Sequence, residues 1–201
     1  MKSILLLSLL LGIAAVPSED DPLIGILDQM DSAACCQFEF LSILESEVFA
    51  SVDSASGLAY IARDGRYRVS IGQDLYLQTE DELYSYSREN NQVTVEKVGD
   101  RTGRQEEIPF ITRLDEFYDI VPVTIGEEYD LTLAVGEEST LPEQMRLFID
   151  TGTMCLRSLE FRDVNDDLNR IEFIAHSSFD TCDSSLLSPH FPDSVQVIRL
   201  Y

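Results

Sequence analysis

Histidine is scarce in this chain. His176 and His190 are the only two and lie on different segments, so a histidine-based metal site has little support, and no metal is expected. The sequence contains no G-x-S-x-G elbow, P-loop, dinucleotide fingerprint or H-E-x-x-H motif. It has no C-x-x-C either, which leaves a thioredoxin-like redox role without a motif. Basic residues are few: 14 Lys and Arg stand against 37 Asp and Glu, a formal net charge of −23. Nucleic acids and anionic membrane surfaces attract cationic proteins, so neither is expected as a partner. Acidity on this scale keeps a protein soluble, and a monomer is expected. An acidic rim facing a basic patch on a partner is the alternative use of that charge.

The abundance of carboxylates has a second consequence. Chance acidic pairs are unavoidable, so Asp and Glu alone make no case for a hydrolase. Asp163-Val164-Asn165-Asp166-Asp167 looks like the start of an EF-hand loop, but Leu168 stands at the sixth position and Ile174 at the twelfth, where Gly and Glu are required. A solvated hairpin turn is expected there instead. No histidine is paired with a cysteine by the sequence, so a cysteine nucleophile has no base. The chain is therefore read as a non-enzyme without a cofactor.

A chain of 201 residues with 44% apolar residues suits one ordered domain with a sizeable core. Residues 1–18 read as a cleaved signal peptide. Lys2 is the positive end, Ile4 to Val16 form an apolar run too short for a comfortable membrane span, and Ala14, Ala15 and Ser18 permit cleavage. No cysteine follows that run closely, so no acylation site is expected. Without Lys2, 13 basic residues face 37 acidic ones, a net charge of −24. An exported protein meets an oxidising compartment, where Cys35, Cys36, Cys155 and Cys182 allow three full pairings. A bond between the adjacent Cys35 and Cys36 is disfavoured. At least one disulfide is expected, either from this pair to the carboxy-terminal half or between Cys155 and Cys182.

The stretch from Gly57 to Val98 organises the rest. Ala59, Ile61 and Arg63 share one face of a strand, because side chains alternate at period two. After a turn at Arg63 to Arg66, with Gly65 free to take positive φ, Tyr67, Val69 and Ile71 face one way and Arg66, Arg68 and Ser70 the other. Leu75 to Leu77, Leu83 to Tyr86 and Val93 to Val98 continue as short strands between polar turns. Five strands without a helix between them predict an antiparallel sheet that curls on itself.

Before this meander, Glu19 to Ala34 reads as a helix with the stripe Leu23, Ile26, Leu27 and Met30, and Glu19, Asp20 and Asp21 at its positive end. Cys36 to Val52 reads as extended. After it, Gly99 to Gln105 is a polar connection. Ile108 to Tyr118 has Ile111, Leu114 and Phe117 at helical spacing, with Pro109 in the first turn. Tyr129 to Val135, Met145 to Asp150, Leu156 to Asp163 and Arg170 to Ser178 return to strands.

The run from Gly57 to Val69, with Arg63, Gly65, Arg66, Tyr67 and Arg68 in matching places, resembles the G-x-L-x-x-x-R-P-G-x-F-R-W run of periplasmic outer-membrane lipoprotein carriers, the LolA-like family. Leu83-Tyr84-Ser85-Tyr86 stands where the family has L-W-x-Y, and Gln92-Val93 follows at the right distance. Asp64 replaces the family's proline and Thr79-Glu80 its Asp-Gly turn, which marks a distant relative. Pro109-Phe110, Ile171-Glu172-Phe173 and the closing Phe191 to Val197 echo the family's lid helix, an I-x-F strand and its ending.

The resemblance implies an α+β fold: a curled, incomplete antiparallel β-barrel, or half-barrel, with short helices covering the open side. Residues 19–201 would form a single domain. It implies a soluble periplasmic carrier that binds the acyl chains of lipoproteins and shuttles them from the inner to the outer membrane. Its partners would be an inner-membrane release complex and an outer-membrane acceptor. A lipid- or lipoprotein-binding sensor or structural module of the same fold is the alternative. Expected lining residues are Ala59, Ile61, Tyr67, Val69, Ile71, Tyr84 and Tyr86, with Ile111 and Leu114 from the lid. Plain core packing is the competing role of each. Arg63 ends an apolar row, where a guanidinium is costly unless it is hydrogen-bonded. It is expected to latch the lid through carbonyls near Ile108 to Leu114 or Leu23 to Met30, against the alternative of an arginine that merely snorkels to the rim.

Overall fold

The computed structural model describes residues 21–98, 109–112, 114–124, 126–134 and 141–201. The expected signal peptide, the expected polar connection from Gly99 to Gln105 and the first two acids of the expected helix lie outside these residues. Helix α1, Pro22–Ser32, begins where its chemistry dictates. The Asp21 side chain accepts from the Leu23 amide at 3.0 Å, and Pro22 occupies the first turn, where its missing N–H costs nothing. Its stripe of Leu23, Ile26, Leu27 and Met30 is buried.

Six strands follow: β1 Cys35–Ser46, β2 Ser51–Ala62, β3 Tyr67–Ile71, β4 Asp74–Gln78, β5 Glu82–Ser87 and β6 Gln92–Lys97. The expected extended segment from Cys36 to Val52 is a hairpin arm, β1 turning into β2. Gly65 makes the β2–β3 turn at φ +87°, a conformation glycine adopts without strain. Gly57 is required for another reason. It pairs with Phe40, and a Cβ added there would stand 2.2 Å from the Phe40 ring.

The expected second helix is broken into two turns. A 3-10 turn, Pro109–Thr112, precedes α2, Leu114–Phe117, and Tyr118 already belongs to β7, Tyr118–Thr124. Helical spacing does place Ile111, Leu114 and Phe117 on one buried face. The run is too short and the strand too near for a continuous helix. Then come β8 Glu128–Leu133, β9 Gln144–Asp150, β10 Cys155–Arg162, β11 Leu168–Phe179 and β12 Gln196–Arg199. The acidic Asp163–Asp167 segment is a hairpin turn, with the Asp163 side chain accepting from the amides of Asn165 and Asp167.

All twelve strands form one sheet in the order β12-β6-β5-β4-β3-β2-β1-β11-β10-β9-β8-β7. Two meanders are joined where β1 pairs with β11, and every pairing is antiparallel except β12 with β6. The sheet does not close, since β7 and β12 are edges. It is curled: Val69 of β3 and Leu131 of β8, far apart in strand order, share one buried cluster with α1 and α2. The fold is the expected half-barrel with short helices over its open side.

Candidate functional site

Alternation decides which side chains reach the concave face. Ala59 and Ile61 on β2 pair with Val69 and Tyr67 on β3, and all four are buried against α1. Ile71 is half-buried beside them, and Ile111 and Leu114 close over the same cluster. Seven of the nine expected lining residues are thus gathered on one side of the sheet. In this state their space is occupied by α1. Between α1 and the tops of β1 and β2, the void beside Met30, Ile61 and Arg63 is about 20 Å³, room for one water.

Tyr84 and Tyr86 differ from expectation: they point to the outer face. Val69 pairs with Tyr76, and Tyr76 with Ser85, so Leu83 and Ser85 lie on the concave side. Tyr84 and Tyr86 instead stand beside Leu77 and Leu75, and both rings meet Phe191 at 5.7 and 5.4 Å between centroids. Leu75, Leu77, Val93 and Val95 form a separate buried layer there, outside the main cluster, on the face that the carboxy-terminal segment crosses; Leu187 on that segment is buried. Arg68 Nη1 donates to the Leu186 carbonyl at 3.5 Å and ties this segment to the outer face. Glu82 holds the Tyr84 hydroxyl, and burial together with that carboxylate pushes the phenol up to about 12.

Polar contacts hold α1 at both ends. At its start, Tyr129 donates its hydroxyl to Asp21 Oδ1 and accepts from the Gly126 amide at 3.0 Å. Tyr129 is fully buried, and burial with the Asp21 carboxylate raises its phenol well above the usual value. Asp21 Oδ2 is buried without a hydrogen bond. At its end, Arg63 Nε donates to the Ala33 carbonyl at 3.0 Å, and the Arg63 amide donates to Ala34 at 3.2 Å. The arginine therefore bonds the cap of α1, just past the expected Leu23 to Met30 range, with its side chain largely exposed. Sequence reasoning missed Tyr129 as an anchor. The available signal was Asp21 before Pro22, a capping carboxylate with more acceptor capacity than one backbone amide uses.

A second space lies away from α1. A groove of about 1180 Å³ lies along the ends of β8, β9 and β10. Leu131, Leu141, Met145 and Phe161 supply apolar walls, and Arg146 and Arg162 sit among carboxylates at its rim. None of the expected lining residues reaches it. Leu131 and Met145 were legible as inward positions from alternation alone. Among the described residues no group of three or more His, Cys, Asp and Glu side chains is placed to hold a metal ion. Among them, too, no helix is long and apolar enough to cross a membrane.

No family model matches the sequence, and no curated protein matches it. Solved structures do share the fold. An uncharacterized conserved protein from Thermus thermophilus aligns over 88% of this chain and 98% of its own, with a TM-score of 0.51 and 15% identity. The LolA superfamily protein NE2245 from Nitrosomonas europaea aligns over 83% of this chain and 97% of its own, with a TM-score of 0.44 and 10% identity. LprF from Mycobacterium bovis aligns over 90% and 100%, with a TM-score of 0.44 and 9% identity. These likenesses are of fold alone, and at these identities no activity comes with them.

Proposed function

We propose that this protein is a non-enzymatic periplasmic carrier that binds the acyl chains of lipoproteins against the concave face of its half-barrel and moves them from the inner to the outer membrane. Helix α1 carries the proposal: it is an apolar plug held in place by side chains. Fully burying an aliphatic side chain is worth roughly 1.5–3 kcal/mol, so the four on α1 contribute about 6–12 kcal/mol. A buried acyl chain gains about 0.8 kcal/mol per methylene, on the order of 10 kcal/mol for a chain of common length. The two quantities are alike. Cargo can take the place of α1 near break-even, which permits both uptake and release. The groove beside the partly buried Phe161 offers a first foothold for the chain end. In this reading Ala59, Ile61, Tyr67, Val69, Ile71, Ile111 and Leu114 are packed against α1 when the carrier is empty and against cargo when it is loaded. Arg63 is the latch that favours the empty, closed form. The inner-membrane release complex and outer-membrane acceptor follow from the family resemblance.

Mass spectrometry of lipid extracted from the purified periplasmic protein tests this first. Titration with a fluorescent fatty acid tests it second, with saturable binding expected and weakened by Ile71→Trp or Phe161→Trp. Protein that carries no lipid and ignores the probe overturns the proposal. Donor and acceptor vesicles then separate the two uses of such a site. A carrier transfers a triacylated lipopeptide between them, and a sensor retains it.

A further inference from the structure

We propose that Cys35 and Cys182 form a disulfide in the exported protein and fasten the carboxy-terminal strap, residues 180–195, to the outer face of the sheet. The proposal rests on the reading of residues 1–18 as an export signal, not on lipid binding.

Adjacent residues in a strand point to opposite faces, so Cys35 and Cys36 part company at the start of β1. Cys36 is on the concave side, where its thiol donates to the Met30 carbonyl of α1 at 3.6 Å. Cys35 is on the outer side. Its partner across β1 and β11 is Phe179, the last residue of β11, and the neighbouring Ala34 amide donates to the Phe179 carbonyl at 2.8 Å. Three residues later the chain has bent onto the outer face that Arg68 and Leu186 mark. Cys182 stands there with its thiol in hydrogen-bonding reach of Cys35. Cys35 is buried and Cys182 half-buried. Cys155 is placed elsewhere: it opens β10, with β11 between it and β1, and its thiol donates to Thr153 in its own turn at 3.4 Å. Of the pairings open to the sequence, the fold favours one.

The chemistry is thiol–disulfide exchange with a disulfide oxidant, such as oxidised glutathione or an oxidoreductase that carries a disulfide. Cys182 is the more exposed thiol. As thiolate it attacks one sulfur of the oxidant and releases one thiol. Burial first and the neighbouring Cys182 thiol second push Cys35 up to about 12, so it is not the first thiol to attack. Cys35 then loses its proton, attacks the Cys182 sulfur and releases the second thiol. Two protein thiols are oxidised and one disulfide of the oxidant is reduced. The bond pins the strap at the point where α1 hands over to β1, so the strap stays docked while α1 moves.

The test uses the full chain without residues 1–18, refolded in a mixture of reduced and oxidised glutathione and then alkylated. Peptide mapping is expected to give one linked pair, Cys35 with Cys182, and alkylated Cys36 and Cys155. Four alkylated thiols, or a linked pair that contains Cys36 or Cys155, overturn the proposal. Cys182→Ser is expected to lower the thermal midpoint by about 5–15 °C and to open the strap to proteolysis. Cys155→Ser is expected to do neither, and equal effects of the two substitutions would also overturn it.

Discussion

The sheet has a cover on each face, and the two are attached by different physics. On the concave face, α1 is held by buried side chains and a few polar contacts at its ends. On the outer face, the strap is continuous with β12, which extends the backbone ladder of β6 from Gln196 to Arg199. Gln196 donates to Asn91 at 2.9 Å and Leu200 to Val95 at 3.0 Å, while Arg199 and Tyr201 converge on Glu82 at 2.8 and 2.6 Å. An apolar body of suitable shape can replace packed side chains. It cannot replace a ladder, because an acyl chain has no N–H or C=O groups to satisfy the strand it uncovers. Under the proposed function the two covers have different tasks: α1 is exchangeable and the strap is structural.

The strongest way to break that assignment is to thin each cover in turn. Leu23→Ala on α1 and Leu187→Ala on the strap each remove a buried leucine and are expected to lose about 2–5 kcal/mol by chemical denaturation. A saturating fatty acid should raise the thermal midpoint of Leu23→Ala more than that of wild type, and that of Leu187→Ala no more than wild type. Equal gains for the two variants would remove the distinction.

Tyr129→Phe sharpens it at the anchor. The substitution takes away the hydroxyl that serves both Asp21 and the Gly126 amide, leaving polar groups buried without partners. The expected loss is about 1–3 kcal/mol, read as a shift in urea midpoint at unchanged slope, with tighter fatty-acid binding. Tighter binding should be absent when the same loss is produced on the strap.

Arg63→Leu acts on the other end of α1. The contact is solvent-screened, so its stability effect should not exceed about 1 kcal/mol. The larger change is expected in kinetics: the variant should favour the loaded form and slow hand-over of cargo more than uptake. Wild-type rates for both steps would show that Arg63 is no latch.

The smallest effect concerns His176. Its ring stacks on Phe38 at 6.1 Å, Nδ1 is buried without a hydrogen bond, and burial holds its pKa below the usual 6.5. The unfolded chain therefore binds the proton first. Stability from this group is intact above about pH 6.5 and falls as pH drops below it, by at most about 1.4 kcal/mol per unit. Between pH 7.5 and 5.5 the thermal midpoint of His176→Phe should decline less than that of wild type.

Much of this was decided locally. Alternation along Tyr67 to Ile71 and Tyr129 to Leu133, the apolar stripe of α1 and the freedom of Gly65 each follow from a few neighbouring residues, and the strands, helix and turn appear where those residues require them. What alternation cannot supply is the sign of a face. Leu83-Tyr84-Ser85-Tyr86 separates two faces equally well whichever way the sheet curls. Only the register from Val69 through Tyr76 to Ser85 puts the tyrosines outside, and only a strap more than a hundred residues away in sequence makes burial there favourable. The anchors of α1 have the same origin. Asp21 meets Tyr129 and Arg63 meets Ala33 because the sheet bends until its distant strands share one core, and a contact that depends on that closure leaves no pattern in the residues next to it.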